Sequence, residues 1–306
     1  MTLSANQRGA LFMVISQVAF TMNDALVKLT SASIGVGQII TVRSLFATVL
    51  VGLLAYRLGH IRSLSTLRNP MVAMRVIGEM AATLTYILAL SHLPIANVSA
   101  VFQSLPLVVT MSAALFFGEY VGPRRWIAIT VGFIGILIIV RPGLEGFSLY
   151  SIYVLVCVGF CTVRDLATRR IPPEIPTTYV SLLTSVAVMI SGIVVMPFTN
   201  GWQPLGSSAL LELAASAVLV LTGYHFIIEA MRAGDISFVA PFRYTALLWA
   251  IVAGIFMFGD IPDLPMIIGS AIVVASGIYS LYRERVVGRS RPIAESTGPT
   301  TAADGL

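Results

Sequence analysis

Six charged side chains interrupt the long apolar runs of this sequence, and any chemistry of the chain has to involve them. They are Asp24, Arg43, Arg75, Glu79, Glu229 and Arg243. Inside a lipid bilayer a charged group is costly unless it is paired or faces a wet cavity, so such residues indicate a solute pathway. The sequence has no phosphate-binding loop, zinc-peptidase motif or nucleophile elbow, and no cluster with metal-ligand spacing. We therefore expect binding and translocation, with no catalytic residue, metal or cofactor.

Glu79 and Arg75 lie one helical turn apart in the same apolar segment, with Glu79 close to its middle. Residues at this spacing share a helix face, so a local ion pair is possible. In one interpretation the pair neutralises itself and joins its helix to a neighbour. In the other, Glu79 faces a cavity and binds a proton or a hydrogen-bond donor of the substrate.

Arg243 lies well inside its apolar segment, between Phe242 and Tyr244. A guanidinium beside aromatic rings can stack on a planar ligand and donate hydrogen bonds to its carbonyls or to an anion. The alternative is that Arg243 reaches towards the membrane surface or forms a structural pair. Tyr86 and Tyr224 add rings with polar tips at middle depths, although helix packing explains each one alone. Together these groups favour a flat, partly polar metabolite over a simple ion.

The elements that position these residues are membrane-spanning helices. Hydrophobic residues make up 57% of the 306 positions and charged residues 11%, against roughly 45–50% and about 25% in soluble domains. A helix needs about 20 residues to cross the hydrocarbon core. The formal charge of +5 does not indicate nucleic-acid binding, because no basic run is long enough. The apolar stretches predict ten spans, at 9–29, 35–57, 70–91, 95–117, 125–140, 148–169, 176–197, 208–231, 236–258 and 262–282.

The distribution of basic residues predicts the orientation of the chain. Fourteen of the 19 Lys and Arg residues, Arg164 among them, fall on one side of the predicted membrane, and only Lys28 and Arg141 fall on the other. The positive-inside rule assigns the first side, and with it both termini, to the cytoplasm. We therefore expect a multi-pass protein of a bacterial inner membrane.

The two halves of the sequence resemble each other at an offset of 141 residues. The offset superposes Asp24 on Asp165 and Lys28 on Arg169. Each Asp precedes its base by four residues, which predicts either a structural ion pair or a gate latch. The offset also superposes Phe117, Gly118 and Glu119 on Phe258, Gly259 and Asp260.

Phe102 corresponds to Arg243 at this offset, and Gln103 follows it, so the fourth and ninth spans would offer aromatic and polar groups from opposite sides. The predicted organisation is a cytoplasmic N-terminus (1–8), a five-helix repeat (9–141), a second five-helix repeat (150–282) and a disordered cytoplasmic tail (283–306). Five spans is an odd number, so the second repeat must be inverted. Inverted repeats are typical of secondary transporters.

Two stretches of the chain carry a common module, which ends in both cases in an aromatic residue, Gly and an acidic residue. The first runs from Ala89-Leu90-Ser91-His92-Leu93-Pro94 through Leu105-Pro106 to Glu119, and the second from Ala230-Met231-Arg232 through Ala240-Pro241-Phe242-Arg243-Tyr244 to Asp260. This module resembles that of the drug/metabolite transporter superfamily, in its ten-helix EamA-type family, over residues 8–283. The resemblance implies an all-α integral membrane protein of ten transmembrane helices in two inverted repeats, and a transporter rather than an enzyme. One departure is Leu247, which stands where the first half has Pro106.

Within that superfamily, the segment 240–245 and the Arg75 to Glu79 segment are similar to bacterial riboflavin importers and S-adenosylmethionine carriers. The leading hypothesis is riboflavin-type uptake by alternating access, with the lipid bilayer and the metabolite as partners. The alternatives are S-adenosylmethionine uptake, export of an amino acid or another metabolite, and more remotely a membrane-bound enzyme or sensor. The sequence does not indicate the oligomeric state. The expected binding residues are Glu79, Tyr86, Phe102, Gln103, Tyr224, Arg243 and Tyr244, and the expected gate or structural ion pairs involve Asp24, Lys28, Arg75, Asp165 and Arg169.

Overall fold

Ten helices of membrane-spanning length lie in the part of the chain that the structure describes. The computed structural model describes residues 4–144 and 147–287, and this part of the chain contains no strand. The predicted all-helical fold with ten spans is confirmed. The helices are α1 (Ala5–Ser31), α2 (Val36–Arg57), α3 (Pro70–Leu90), α4 (Ile95–Phe117), α5 (Pro123–Val140), α6 (Tyr150–Thr168), α7 (Thr177–Phe198), α8 (Ser207–Ala233), α9 (Ala240–Phe258) and α10 (Leu264–Val287).

Both ends of the helical region extend beyond the predicted spans. Helix α1 begins at Ala5 because Ser4 and Gln7 form a reciprocal capping box: the Ser4 hydroxyl accepts from the Gln7 amide at 3.3 Å, and the Gln7 side chain accepts from the Ser4 amide at 2.9 Å. Helix α10 continues to Val287, past the predicted end at 282. From residue 288 onward, the predicted disordered tail lies outside the described residues.

Helices α4 and α9 are not continuous α-helices. In α4 a first segment ends at Phe102 and a second begins at Leu105, with Pro106 in its first turn. Proline cannot donate the hydrogen bond that would join the two segments, so the break falls just before it. In α9 the residues Ala240–Tyr244, with Pro241 among them, form a 3₁₀ turn before the α-helical segment begins at Thr245. Both halves therefore carry an interrupted helix at corresponding positions, although Leu247 replaces the proline.

The helices pack in pairs that join the first half of the chain (α1–α5) to the second half (α6–α10). The most extensive contacts are those of α1 with α8, α3 with α6, α2 with α7 and α5 with α10, and α4 meets α9. Each helix of the first half has a counterpart in the second half, five helices later. Exchanging every helix for its counterpart converts the α1·α8 pair into the α3·α6 pair, and leaves the α2·α7, α5·α10 and α4·α9 pairs unchanged. Two repeats related by a twofold axis would produce this pattern, so the packing supports the inverted repeat.

The ends of α4 and α9 have the same backbone geometry at positions that the 141-residue offset relates. Gly118 and Gly259 both have left-handed backbone angles, with φ of 67° and 71°. The amide that follows each glycine closes its helix. Glu119 N donates to the Ala113 carbonyl at 3.3 Å, and Asp260 N donates to the Gly254 carbonyl at 2.9 Å. Both the donors and the acceptors are related by the 141-residue offset. These are glycine-dependent helix caps of one type.

Close backbone contact holds the main helix pairs together, because glycines lie at their interfaces. A Cβ atom on Gly135 of α5 would meet the Gly269 carbonyl of α10 at 2.8 Å, and one on Gly192 of α7 would meet the Thr41 amide of α2 at 2.8 Å. Gly223 of α8 accommodates the ring of Phe20 of α1 in the same way. In lipid, where apolar burial gives little driving force, small residues allow the close packing that associates helices.

The helix ends define two faces. The face at which α1 begins, here called the terminal face, also carries the α8–α9 connection, because the Asn6 side chain accepts a hydrogen bond from the Asp235 amide at 2.8 Å. The opposite, or far, face carries the ion pair of Arg141 at the end of α5 with Asp263 before α10. The two helices of the α5·α10 pair are thus tied by charge at one end and by glycine contacts along their length.

We predict that Gly135→Ala lowers the stability of the protein, because the added methyl has to displace backbone atoms of α10. Overpacking of this kind costs about 1–3 kcal/mol. The measurement is the thermal melting temperature of the purified protein in detergent. Gly159→Ala is the matched control, since a Cβ at Gly159 in α6 meets nothing within 4 Å. Equal melting temperatures for the two variants would contradict the proposed role of the contact.

Candidate functional site

A small cavity lies between the two halves, at the depth where α4 and α9 are interrupted. Its polar lining comes from Gln17, Thr21 and Asp24 of α1, Tyr86 of α3, Ser99 and Gln103 of α4 and Arg243 of α9. Phe102 and Phe20 contribute aromatic surface to the same cavity. Its volume of about 40 Å³ compares with about 300–1,000 Å³ for sites that enclose a small molecule. In this structure the cavity therefore has room for a few water molecules and is closed to a metabolite.

Hydrogen bonds fix the carboxylate of Asp24 at the cavity wall. One of its oxygens accepts from the Tyr86 hydroxyl at 2.6 Å, and the other accepts from the Asn23 side-chain amide at 2.8 Å. The Asn23 carbonyl in turn accepts from the Ser216 hydroxyl of α8 at 2.6 Å and from the Arg43 guanidinium at 3.4 Å. Arg43 is only 2% exposed and supplies the positive charge that Asp24 requires in a low-dielectric interior.

The two interrupted helices meet at the cavity. The side-chain amide of Gln103 donates to the backbone carbonyl of Arg243 at 3.3 Å. The ring of Phe102 lies edge-on to Tyr86, with centroids 5.7 Å apart. The cavity therefore presents a carboxylate, a guanidinium, two carboxamides and three aromatic rings within one small space. This set can bind a planar ligand that carries hydrogen-bond donors and acceptors.

Glu79 does not line this cavity. Its Oε2 atom accepts from the Arg164 guanidinium of α6 at 2.9 Å, and both side chains are fully buried. Arg164 also pairs with Asp165 at 2.7 Å, so its assignment to a membrane-surface connection was wrong. The predicted pair of Glu79 with Arg75 is not the one found: Arg75 donates to the Thr168 hydroxyl of α6. Gly78 allows α3 to pack closely on α6, and this brings Arg164 of α6 within hydrogen-bond distance of Glu79.

The two remaining tyrosines of the predicted set also lie outside the cavity lining. Tyr224 is fully buried and packs edge-on against Phe20, with centroids 5.1 Å apart. Tyr244 points its hydroxyl at α10, where a Cβ on Gly277 would come within van der Waals overlap of that oxygen. Of the predicted binding residues, the cavity is lined by Tyr86, Phe102, Gln103 and Arg243.

The cavity includes residues that were not expected to bind, and their spacing carries a signal. Gln17, Thr21 and Asp24 follow one another at intervals of four and three residues on α1, and Ser99 precedes Gln103 by four. Polar side chains at this spacing share one face of a helix. A polar face on an otherwise apolar span therefore indicates a wet surface, even where the residues carry no charge.

The predicted pairs at four-residue spacing do not form within α1 and α6. The Lys28 ammonium donates to the carbonyl of Leu90, the last residue of α3, at 3.3 Å, and to that of Leu93, just after the helix, at 2.5 Å. Arg169 instead lies 3.6 Å from the carboxylate of Glu119, at the end of α4. Each base thus connects its helix to a different helix.

No metal site is evident in the described residues. Within residues 4–144 and 147–287, no group of three or more His, Cys, Asp or Glu side chains is placed to hold an ion. Cys157 and Cys161 are buried free thiols, with their sulfur atoms 4.0 Å apart.

Comparison with known proteins identifies transporters. Residues 7–141 match the EamA-like transporter family. The riboflavin transporter of Vibrio cholerae is 28% identical over 293 residues, which cover 94% of this chain and 97% of the relative. A pseudopaline exporter of Pseudomonas aeruginosa is 28% identical over 91% of this chain and 97% of its own. An S-adenosylmethionine uptake transporter of Rickettsia conorii is 24% identical, covering 89% and 92%. These relatives differ in cargo and in direction, so the similarity supports transport without specifying a substrate.

We predict that Glu79→Gln lowers the melting temperature of the purified protein, because Arg164 then loses one of its two carboxylate partners in a dry interface. A hydrogen bond to a charged group contributes about 1.5–3 kcal/mol. Glu174→Gln, at an exposed site in the α6–α7 connection, is the matched control and should melt like the parent protein. An unchanged melting temperature for Glu79→Gln would contradict the structural role.

Proposed function

We propose that this chain is a member of the EamA-type family of the drug/metabolite transporter superfamily, whose model matches residues 7–141, and that it is a secondary carrier for a small metabolite in a bacterial inner membrane. The observation that carries the proposal is the polar and aromatic cavity between the halves, at the interruptions of α4 and α9. Irregular backbone at membrane depth is tolerated only where it is buried in protein or lines a cavity. Interrupted helices at the interface of two repeats are a common site of substrate binding in transporters.

The closed state of the cavity supports alternating access. A volume of about 40 Å³ cannot contain a metabolite, so binding requires the two halves to separate at one face. A polar site that is closed in one state and opened towards either side in others is what the alternating-access cycle requires.

The chemistry of the cavity favours a flat heteroaromatic substrate, with riboflavin as the best candidate. A flavin ring presents two carbonyls on either side of an N–H group. The Arg243 guanidinium can donate to such carbonyls, and the Gln103 carboxamide can both donate and accept. Phe102 and Tyr86 supply aromatic surface against which the ring can pack. The relative from Vibrio cholerae, described as a riboflavin transporter, supports this candidate.

S-adenosylmethionine uptake is the second candidate, and Asp24 is the observation that favours it. A cationic substrate would find a carboxylate in the cavity wall. Against it, Asp24 already receives two hydrogen bonds and lies near Arg43, and Glu79 is paired with Arg164. The acidic charge is thus largely compensated, which favours a neutral ring.

The proposed orientation has both termini in the cytoplasm. Removing the buried Arg164 from the fourteen basic residues that the sequence assigns to the side of the termini leaves thirteen, against Lys28 and Arg141 on the other side. This excess still satisfies the positive-inside rule for a cytoplasmic terminal face.

We predict that the chain supports riboflavin uptake. Radiolabelled riboflavin should accumulate faster in riboflavin-requiring bacterial cells that express the chain than in cells with an empty vector, and such cells should grow at lower riboflavin concentrations. Accumulation equal to that of the vector control would remove the riboflavin assignment. The same cells assayed with labelled S-adenosylmethionine test the second candidate.

We predict that Arg243→Gln raises the KM for riboflavin by about 10- to 100-fold, the equivalent of one charge-assisted hydrogen bond of about 1.5–3 kcal/mol. Arg124→Gln, at an exposed position at the start of α5, is the matched control and should leave KM unchanged. A similar KM for both variants would show that Arg243 does not contact the substrate.

We predict that Asp24→Asn distinguishes the two candidates. A neutral ring loses one hydrogen-bond acceptor that the amide oxygen can replace, so riboflavin uptake should fall by less than about 10-fold. A cation would lose its charge partner and should be taken up far more slowly than by the parent protein. The measurement is the uptake of each labelled compound, riboflavin or S-adenosylmethionine, by the variant and by the parent protein, with the other compound added unlabelled as a competitor.

A further inference from the structure

Two clusters of charged and aromatic residues join the halves at opposite faces of the membrane. The first, here the terminal-face latch, connects the end of α4 to the end of α6. Its Arg169 guanidinium lies 3.6 Å from the Glu119 carboxylate, and its Arg170 guanidinium lies 3.7 Å from the centroid of the Phe117 ring. Each contact therefore ties the first half of the chain to the second half at this face.

The second cluster, here the far-face latch, connects the end of α1 to the end of α9. The Lys28 ammonium lies 5.4 Å from the centroid of the Phe258 ring. The carboxylate of Asp260 attracts the same ammonium. One oxygen of Asp260 is buried and has no hydrogen-bond partner within the described part of the chain. This cluster again joins one helix from each half.

The two latches are equivalent by sequence position. The offset of 141 residues converts Lys28 into Arg169 and converts the Phe-Gly-Glu end of α4 into the Phe-Gly-Asp end of α9. In each latch, basic residues at the end of the first helix of one half lie against the aromatic and acidic residues that end the fourth helix of the other half. The aromatic contact comes from Arg170 at the terminal face and from Lys28 at the far face. Helices α4 and α6 end at the terminal face, whereas α1 and α9 end at the far face, so the equivalent contacts lie on opposite sides.

The latches differ in how far they are formed. In the terminal-face latch the opposite charges are in contact, with side chains 41% and 36% exposed. In the far-face latch the Lys28 ammonium donates instead to the carbonyls of Leu90 and Leu93, while Asp260 attracts it from further away. Both connections are present together with the closed cavity.

We propose that these clusters are the two gates of the carrier, each of which holds its own face shut and has to open for the cavity to reach that side. The inference rests on the proposed transport function and identifies residues that position the halves without contacting the substrate. The exposed ion pair of the terminal-face gate is weak, so this gate can open readily, and removing one of its charges shifts the balance between states by roughly two- to five-fold. Weakening one gate should favour the state that is open at that face and disfavour the state that is open at the opposite face.

The test measures accessibility of the cavity from each side without any substrate. A single reporter, Ser99→Cys, is placed in the cavity of a protein that carries Cys157→Ala and Cys161→Ala. Its reaction rate with a membrane-impermeant maleimide is followed in right-side-out and inside-out membrane vesicles. Glu119→Gln weakens the terminal-face latch, and Asp260→Asn weakens the far-face latch. Glu174→Gln is the control for a loss of charge at the terminal face.

The expected result is a pair of opposite shifts of roughly two- to five-fold. Glu119→Gln should speed labelling from the terminal face and slow it from the far face, and Asp260→Asn should do the reverse. The charge exchange Glu119→Arg with Arg169→Glu should return the rates towards those of the parent, which a variant that merely misfolds cannot do. Shifts in the same direction for both variants, or rates like those of Glu174→Gln, would overturn the proposal.

The result can be separated from the fate of the substrate assignment. Opposite shifts in a protein that does not take up riboflavin would support the gates and remove only the substrate. Normal riboflavin uptake with no shift in either variant would overturn the gates and leave the carrier function in place.

Discussion

The structure depends on the requirement that a charge inside the membrane has a partner. Arg164 is fully buried and lies between the carboxylates of Glu79 and Asp165. Breaking such a buried arrangement is costly because the remaining charge cannot be solvated. The pair therefore fixes α3 against α6 and joins the two halves through their interior. The cluster of Asp24, Asn23 and Arg43 satisfies the same requirement at the cavity wall, where Ser216 adds the contribution of α8.

This division of the charges has a functional meaning. Charges that satisfy one another in buried packing hold helices in place, whereas the charges that line the cavity are the ones we propose to receive a ligand. Glu79 falls in the first group, whereas Arg243 and Asp24 fall in the second, next to the rings of Phe102 and Tyr86. A carrier needs both, because a binding site built from interrupted helices has to keep its shape while the surrounding halves move.

The sequence predicts the spans well, because apolar length and the cost of lipid burial act on each segment alone. It also points to the meeting of α4 and α9, since proline and the 141-residue offset are visible in the chain. It does not predict the partner of Glu79: the four-residue spacing to Arg75 is local, whereas Arg164 comes from a helix brought close by Gly78. The same limit applies to Lys28 and Arg169, whose partners lie on other helices. Tyr244 was misplaced because the rotation of the 3₁₀ turn in α9, which directs that ring at α10, cannot be read from the composition.

The symmetric pairing of helices determines which interfaces can change in a cycle that exchanges the two halves. Such a cycle returns α2·α7 and α5·α10 to their original geometry, so these glycine-tight pairs act as fixed pivots. It converts α1·α8 into the arrangement now held by α3·α6, and the reverse. The hydrogen bond from Ser216 to Asn23 and the buried ion pair of Glu79 with Arg164 then occupy equivalent interfaces of the molecule. In such a cycle, reorientation would loosen one of these two interfaces and tighten the other.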